Sequence, residues 1–117
     1  MNTQIPGNYL KIHRRKCGLS QRELGLLVGY VNEGQVRRHE GSRSTPPLLI
    51  ALGYEFIFET PVSAIFVGFR SSVADAIGQN LEEFKTDFTR RMEGRRLSGA
   101  ALQKLQWLTE RRAVESA

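Results

Sequence analysis

The sequence predicts an all-α protein with five short helices followed by a C-terminal helical hairpin. Apolar residues recur at spacings of three and four along most of the chain, and serines and threonine–proline pairs that can start helices separate these segments. The one strand-like run, at residues 54–58, has no partner strand, so we interpret it as helix. The length of 117 residues allows one small domain plus an extension. We place the boundary between residues 1–69 and residues 70–117.

The first predicted helix covers residues 9–17 and begins after Asn8, which can cap it. Leu10, His13 and Cys17 share one of its faces. His13 and Cys17 also have the four-residue spacing of metal ligands, but no third or fourth ligand is evident. The sequence therefore predicts no metal site, and we interpret these two side chains as part of the core.

Two further helices follow, joined by a glycine turn. Ser20 and Glu23 have the spacing of a capping box at the start of a helix, and Gly29 supplies a tight turn after it. Asn32 can cap a second helix over residues 32–40, which is rich in side chains that read base pairs. Two short helices in this arrangement are typical of a DNA-binding helix-turn-helix.

The fourth and fifth helices are predicted from threonine–proline pairs. A helix starting at Thr45-Pro46 supplies five apolar side chains that we expect in the core: Leu48, Leu49, Leu52, Phe56 and Ile57. A shorter helix after Thr60-Pro61 adds three more, Val62, Ile65 and Phe66. These elements close a five-helix domain near Gly68.

Residues 70–117 are predicted to form a helical hairpin. Ser71 or Ser72 can start a long helix that carries one continuous apolar stripe, formed by Val73, Ile77, Leu81, Phe84, Phe88 and Met92. Gly94 interrupts it, and Ser98 can cap a final helix with Ala101, Leu105, Trp107 and Leu108. Such a stripe must cover the flank of the first domain or meet a second chain, and we favour a homodimer.

The spacing Ser20-Gln21-x-x-Leu24, followed by Gly29, Val36 and Arg38-x-Glu40, resembles the Cro/repressor-type, xenobiotic-response-element family of helix-turn-helix regulators. The resemblance extends over residues 9–66, about half of the chain. It implies a five-helix, repressor-like helix-turn-helix domain. It also implies an ion pair between Arg14 and Glu40, and a DNA phosphate contact from Gln21.

Three features depart from the family pattern. Gly25 stands where the family prefers alanine, and the segment at residues 30–35 is one residue longer than in the commonest form of the motif. His39 falls at a position that is usually apolar. We therefore expect His39 to be a partly buried structural imidazole rather than a side chain that reads bases.

Eight residues are candidates for binding DNA: Gln21, Asn32, Glu33, Gly34, Gln35, Arg37, Arg38 and Arg43. Arg38 is the first choice for a base contact, since its guanidinium fork matches the O6 and N7 atoms of guanine. Arg37 can equally contact phosphate. Gln35 can pair with adenine, unless its amide is occupied in a capping box with Asn32.

Among the remaining candidates, Glu33 and Arg43 each have two interpretations. Glu33 can accept a hydrogen bond from cytosine or tune the local charge, and Gly34 can allow a close approach to the groove. Arg43, in the loop after the second helix, can contact phosphate or lie in solvent.

Composition agrees with a polyanionic partner but does not identify one. The net charge is +5, and residues 1–58 hold eight basic and four acidic side chains, or +4.

No run of about 18 apolar residues and no signal-peptide pattern is present, so we expect a cytoplasmic protein that does not enter membranes. One cysteine excludes an internal disulfide. No catalytic constellation or cofactor motif is evident, so we expect no enzyme activity and no cofactor.

These observations predict a protein that binds double-stranded DNA sequence-specifically. We expect it to be a transcriptional regulator that acts as a dimer, and we favour a repressor over an activator. Two alternatives keep the same fold. In an antitoxin-type protein, residues 70–117 bind a partner protein. In a protein-interaction adaptor, the fold is retained without specific DNA binding.

Overall fold

The structure of the protein is a computed structural model that describes residues 7–111. All regular secondary structure in this part of the chain is helical, which confirms the predicted all-α class and the helical interpretation of residues 54–58. There are seven helices between residues 7 and 111: α1 Leu10–Lys16, α2 Gln21–Val28, α3 Gly34–Glu40, α4 Leu48–Phe58, α5 Val62–Ile65, α6 Val67–Met92 and α7 Gly99–Glu110. The chain divides into two compact units, whose described parts are residues 7–70 and 71–111.

Local chemistry fixes the ends of α2 and α7. Ser20 and Glu23 form the predicted capping box, in which Ser20 Oγ accepts from the Glu23 N–H at 3.0 Å and Glu23 Oε1 accepts from the Ser20 N–H at 2.8 Å. Gly29 then ends α2 with a φ of +105°, a conformation that glycine adopts without strain. Ser98 caps α7 as predicted, its Oγ accepting from the Ala101 N–H at 3.2 Å.

Asn8 joins the start of α1 to the end of α3. Its Oδ1 accepts from the Leu10 N–H, and its Nδ2 donates to the His39 carbonyl and to Ser42 Oγ, each at 2.9 Å.

The prediction that Cys17 belongs to the core was wrong. α1 ends at Lys16, so Cys17 lies in the turn that follows and its side chain is exposed.

Each of the first five helices places at least one buried side chain in the core of the first unit. This core consists of Leu10, Leu24, Val36, Tyr54, Ile65 and Phe66. His13 lies at its margin, half-buried, with its ring 5.8 Å from that of Phe58. Val62 also packs against the core, so the predicted contribution of the fifth helix is confirmed.

The prediction for α4 was largely wrong. The helix begins at Leu48, after Pro47, and four of the five side chains expected in the core are exposed: Leu48 by 72%, Leu49 by 79%, Leu52 by 44% and Phe56 by 86%. Of the five, Ile57 alone packs against the core, where it joins Ile50 and Tyr54, neither of which was predicted there. α4 is apolar on every side, so its sequence pattern does not reveal which side faces inward.

The second unit contains most of α6 and all of α7. α6 begins at Val67, earlier than predicted, because its first turn follows α5 directly and the Arg70 N–H donates to the Phe66 carbonyl at 3.0 Å. Phe88 and Leu108 are buried. The Lys104 ammonium lies 5.2 Å from the centre of the Phe88 ring, a cation–π contact between α6 and α7.

Among the helices of residues 7–111, none combines the length and the apolar composition that crossing a lipid bilayer needs.

Candidate nucleic-acid interface

α3 presents two chemically different sides. Val36 and His39 point into the core and are essentially inaccessible to solvent. Gln35, Arg37 and Arg38 are exposed. Gln35 and Arg38 lie three residues apart, so their side chains project from neighbouring turns of the same side of the helix. The fold therefore fixes α3 through one side and leaves a hydrogen-bonding surface on the other.

The first turn of α3 differs from the predicted one. The helix begins at Gly34, and Glu33 occupies the capping position without a capping hydrogen bond from its side chain. Asn32, one residue before Glu33, provides the hydrogen bond instead: its Oδ1 accepts from the Gly34 N–H at 2.9 Å. The side chain of Gln35 makes no hydrogen bond to residues 7–111, so it is not occupied in a capping box and its amide is available to a ligand.

The charged residues of α3 are not equivalent. Glu33 Oε1 lies 3.6 Å from Arg37 Nη2, four residues along the helix, and both side chains are substantially exposed. Such a pair contributes little to stability but lowers the positive charge that Arg37 presents. Arg38 forms no ion pair within the described part of the chain. Arg38 is thus the cation of α3 that is most available to an anionic or hydrogen-bonding partner.

A buried ionic network holds the end of α3. Both Nε and Nη2 of Arg14 donate to the Glu40 carboxylate, which is the ion pair that the family resemblance implies. Arg14 Nη1 also donates to the Leu19 carbonyl at 2.8 Å. Gln21 Nε2 donates to Glu40 Oε1 at 2.9 Å. The network thereby connects α1, the start of α2 and the last residue of α3.

Gln21 has a role that the resemblance did not imply. Its half-buried amide is bonded to Glu40 rather than extended toward the surface, so it takes part in packing α2 against α3. No sequence signal revealed this contact, because Gln21 and Glu40 lie 19 residues apart.

Below α3, His39 forms a polar contact inside the core. Its Nδ1 lies 2.8 Å from Tyr54 Oη, and the two rings meet edge to face with their centres 5.8 Å apart. Burial, aided by the neighbouring charge of Arg38, lowers the pKa of His39 below its ordinary value. Burial also raises the pKa of Tyr54. Both groups are therefore neutral at pH 7, and each satisfies the other's hydrogen-bonding need.

Sequence reasoning placed His39 in the core but missed its partner. An apolar helix that carries a single tyrosine, as α4 does with Tyr54, is itself a signal, because a buried phenol needs a hydrogen-bonding group nearby.

The loop after α3 carries the last candidate residue. The Arg43 N–H donates to the Arg38 carbonyl at 2.9 Å, so the chain turns back directly after the helix. The side chain of Arg43 is exposed. It lies beside the end of α3, whereas Gln35 lies at its start.

Gly25 allows the turn before α3 to lie close against α2. A Cβ atom at this position would lie 2.7 Å from the backbone carbonyl oxygen of Asn32, which is too close for any residue but glycine. The side chain of the same Asn32 accepts from the Gly34 N–H at the start of α3. Gly25 therefore determines how closely the start of α3 approaches α2.

Replacing Gly25 with alanine is expected to destabilise the protein by about 1–3 kcal/mol, because the added methyl group forces the Asn32 backbone away. Gly99→Ala in the first turn of α7 is the matched control. No atom lies within 4 Å of its Cβ position, so helix propensity predicts a neutral or slightly stabilising change. Urea unfolding of both variants checks the difference, and equal effects would contradict the steric explanation.

The described residues contain no group of three or more histidine, cysteine or acidic side chains that could hold a metal ion. Compared with protein-family models, with curated proteins and with solved structures, the chain has no significant match in any of the three.

Proposed function

We propose that the protein binds double-stranded DNA sequence-specifically, with α3 as the recognition helix in the major groove. One observation carries the proposal: α3 is anchored through Val36 and His39 and presents Gln35 and Arg38 from the same exposed side. These are the side-chain types that make bidentate contacts with adenine and guanine. A helix fixed in this way holds the backbone that carries them in one orientation before DNA arrives, which lowers the entropic cost of binding.

The dimensions of α3 fit this role. An α-helix with its side chains is about 10–12 Å in diameter, and the major groove, about 12 Å wide, admits it. α2 and α3 are joined through the left-handed Gly29 and pack closely at Gly25, as the two helices of a helix-turn-helix do. The start of α3, with Gly34 and Gln35, then faces the base edges.

The candidate residues divide into three roles under this proposal. Arg38 and Gln35 read bases. Arg37 and Arg43 contact phosphates, and Glu33 moderates the attraction of Arg37 for phosphate through their ion pair. The third role is structural: Asn32 accepts from the first N–H of α3, Gly34 begins the helix, and Gln21 secures its end through Glu40.

We further propose that the protein regulates transcription by occupying its binding site. Occupancy alone excludes other proteins from the same DNA, so repression requires no chemistry beyond the contacts of α3. The exposed apolar side chains of the second unit, such as Val73 and Trp107, are available for a partner protein.

The test is selection of bound sequences from a random duplex library at near-physiological salt, where phosphate attraction alone gives little enrichment. The wild-type protein is expected to enrich a motif that contains guanine. Arg38→Ala should lose preference at one base pair and bind the selected site about 5- to 150-fold more weakly, equivalent to ~1–3 kcal/mol. Arg95→Ala, which removes the same charge from the loop between α6 and α7, should keep the full motif.

Failure of the wild-type protein to enrich any sequence, with binding that disappears at moderate salt, would contradict the proposal. That outcome would favour the adaptor interpretation, in which the fold binds proteins only. Loss of the whole motif in Arg95→Ala would also count against α3 as the reading element. Circular dichroism of each variant checks that the helices are retained.

A further inference from the structure

Within the first unit, the outer side of α4 is an apolar surface that no other helix of residues 7–70 covers. It consists of Leu48, Leu49, Leu52 and Phe56, which we call the α4 face, and Phe56 is 86% exposed. The opposite side of α4 is already occupied by the core, where Tyr54 is completely buried. A helix that is apolar all round is typically buried on all sides, so an exposed half indicates a missing neighbour.

The α4 face carries no charged side chain. Glu55 is the one acidic residue of α4, and its Oε1 accepts from the Val62 N–H at 2.8 Å, which holds the carboxylate at the start of α5. α4 contains no lysine or arginine. By contrast, the apolar side chains of α6 alternate along that helix with charged residues such as Glu82, Lys85 and Arg90. The α4 face therefore has little polar surface to desolvate and no charge to match with a charged partner.

The area of the α4 face fits a small symmetric interface. Its four side chains expose on the order of 500 Å², which is at the upper end of the range of about 300–600 Å² for the largest apolar patch of a monomer. With both faces fully covered, two copies facing each other would bury about 1,000 Å² through these side chains, which is the lower limit for a specific interface. An uncharged apolar face is complementary to itself, as a two-fold axis requires.

We infer that the α4 face is the surface through which two copies of this chain associate, with α4 of one copy packed against α4 of the other. This places self-association in the first unit rather than in residues 70–117, where the sequence predicted it. The inference rests on the proposed function in one respect, since a dimer presents two recognition helices to two half-sites. α4 is also bonded to α3 through Tyr54 and His39, so the interface adjoins the helix that reads DNA.

Sedimentation velocity of the full chain over a concentration series, without DNA, tests the inference. The wild-type protein is expected to form a reversible dimer. Leu49→Glu combined with Phe56→Glu should weaken self-association by about 100-fold or more. The matched control combines Val73→Glu with Ile77→Glu on α6, where the side chains are 60% and 45% exposed, and should dimerise as the wild type does.

A second experiment uses opposite charges at one position to check that α4 packs against α4. It remains informative if the double glutamate variant of α4 folds poorly. Leu52 lies in the middle of the helix, where a two-fold axis brings a residue close to its own copy. Leu52→Glu and Leu52→Lys should each be monomeric, because like charges face each other. An equimolar mixture of the two should restore a dimer, and circular dichroism establishes that both are folded.

The inference would be overturned by a monomeric wild type at every concentration, by a dimer that the α4 substitutions leave intact, or by a dimer abolished by the α6 substitutions alone. A mixture of the Leu52 variants that stays monomeric would show that α4 meets a different surface. Since no DNA is present, these results are independent of the library selection. A dimer without sequence preference would contradict the proposed function only, and a sequence-reading monomer would contradict this inference only.

Discussion

Glu40→Ala is expected to destabilise the protein by about 3–5 kcal/mol, because it leaves the buried guanidinium of Arg14 without its counter-charge. The two side chains of this pair are 10% and 4% exposed, so solvent screens the unpaired charge poorly. Gln21 loses its hydrogen-bond acceptor in the same change. Because small domains are stable by only about 5–15 kcal/mol, the variant should be close to unfolding at room temperature.

Urea unfolding of the Glu40→Ala variant measures this loss, and Glu33→Ala provides the matched control. Glu33 also pairs with an arginine of α3, but both partners are exposed, and exposed pairs contribute about 0–1 kcal/mol. A second comparison replaces both buried charges with methionine at positions 14 and 40. That double variant should be more stable than Glu40→Ala, since no unpaired charge remains inside.

Equal losses of stability in Glu40→Ala and Glu33→Ala would show that the buried network contributes no more to stability than a surface ion pair does.

The same substitution is expected to affect DNA binding. Glu40 is the last residue of α3, and its bonds to Arg14 and Gln21 fix the direction of the helix. We therefore expect Glu40→Ala to weaken binding to a selected DNA site even at temperatures where the variant remains folded.

The elements that the sequence predicted correctly depend on local chemistry. The capping box of Ser20 and Glu23, the turn at Gly29 and the cap at Ser98 each involve residues within a few positions of one another. Their geometry follows from the backbone of a single helix end, which does not depend on the rest of the fold. Such features can be read from one sequence.

The incorrect predictions concern contacts that depend on the whole fold. α4 is apolar on every side, so the sequence could not show that Tyr54 and Ile57 face inward while Leu49 and Phe56 face outward. The capping position of α3 was also misplaced by one residue, at Asn32 instead of Glu33. Close packing of the Asn32 carbonyl against Gly25 sets that position, and neither residue alone indicates it.

The candidate site was selected by residue type, and its contacts within the protein were not predicted. Arg38 and Gln35 could be selected because arginine and glutamine on a short helix after a glycine turn are typical readers of base pairs. The bond of Gln21 to Glu40 and that of His39 to Tyr54 join different helices. These pairs require the packing of the first unit, which no spacing rule provides.

Stability is expected to fall as the pH decreases below 6.5, the ordinary pKa of histidine, because the folded protein holds His39 neutral. Burial, followed by the charge of Arg38, lowers the pKa of His39 in the folded state. Between that lowered value and 6.5, the unfolded chain binds a proton that the folded chain does not. Stability is therefore complete above this window and declines within it, by at most about 1.4 kcal/mol per pH unit for one group.

Denaturation at a series of pH values from about 7 to about 5 measures the decline. The carboxylate of Glu23 does not interfere, because hydrogen bonds from Ser20 lower its pKa below 4.5 and its contribution is lost only in more acidic solution. His13→Gln, which replaces the half-buried histidine of α1, should retain the pH dependence. His39→Leu should remove it, and a His39→Leu variant with an unchanged pH profile would contradict the assignment.

His39→Leu should also lower stability at pH 7 by about 1–3 kcal/mol, since Tyr54 Oη is left buried without its partner. The double variant His39→Leu with Tyr54→Phe removes both polar groups and should recover part of this loss, whereas Tyr54→Phe alone leaves the imidazole unsatisfied. Protonation and substitution thus act on the same contact between α3 and α4. If α3 reads DNA, specific binding should weaken in parallel with stability as the pH falls, because the helix loses the neutral imidazole that anchors it to the core.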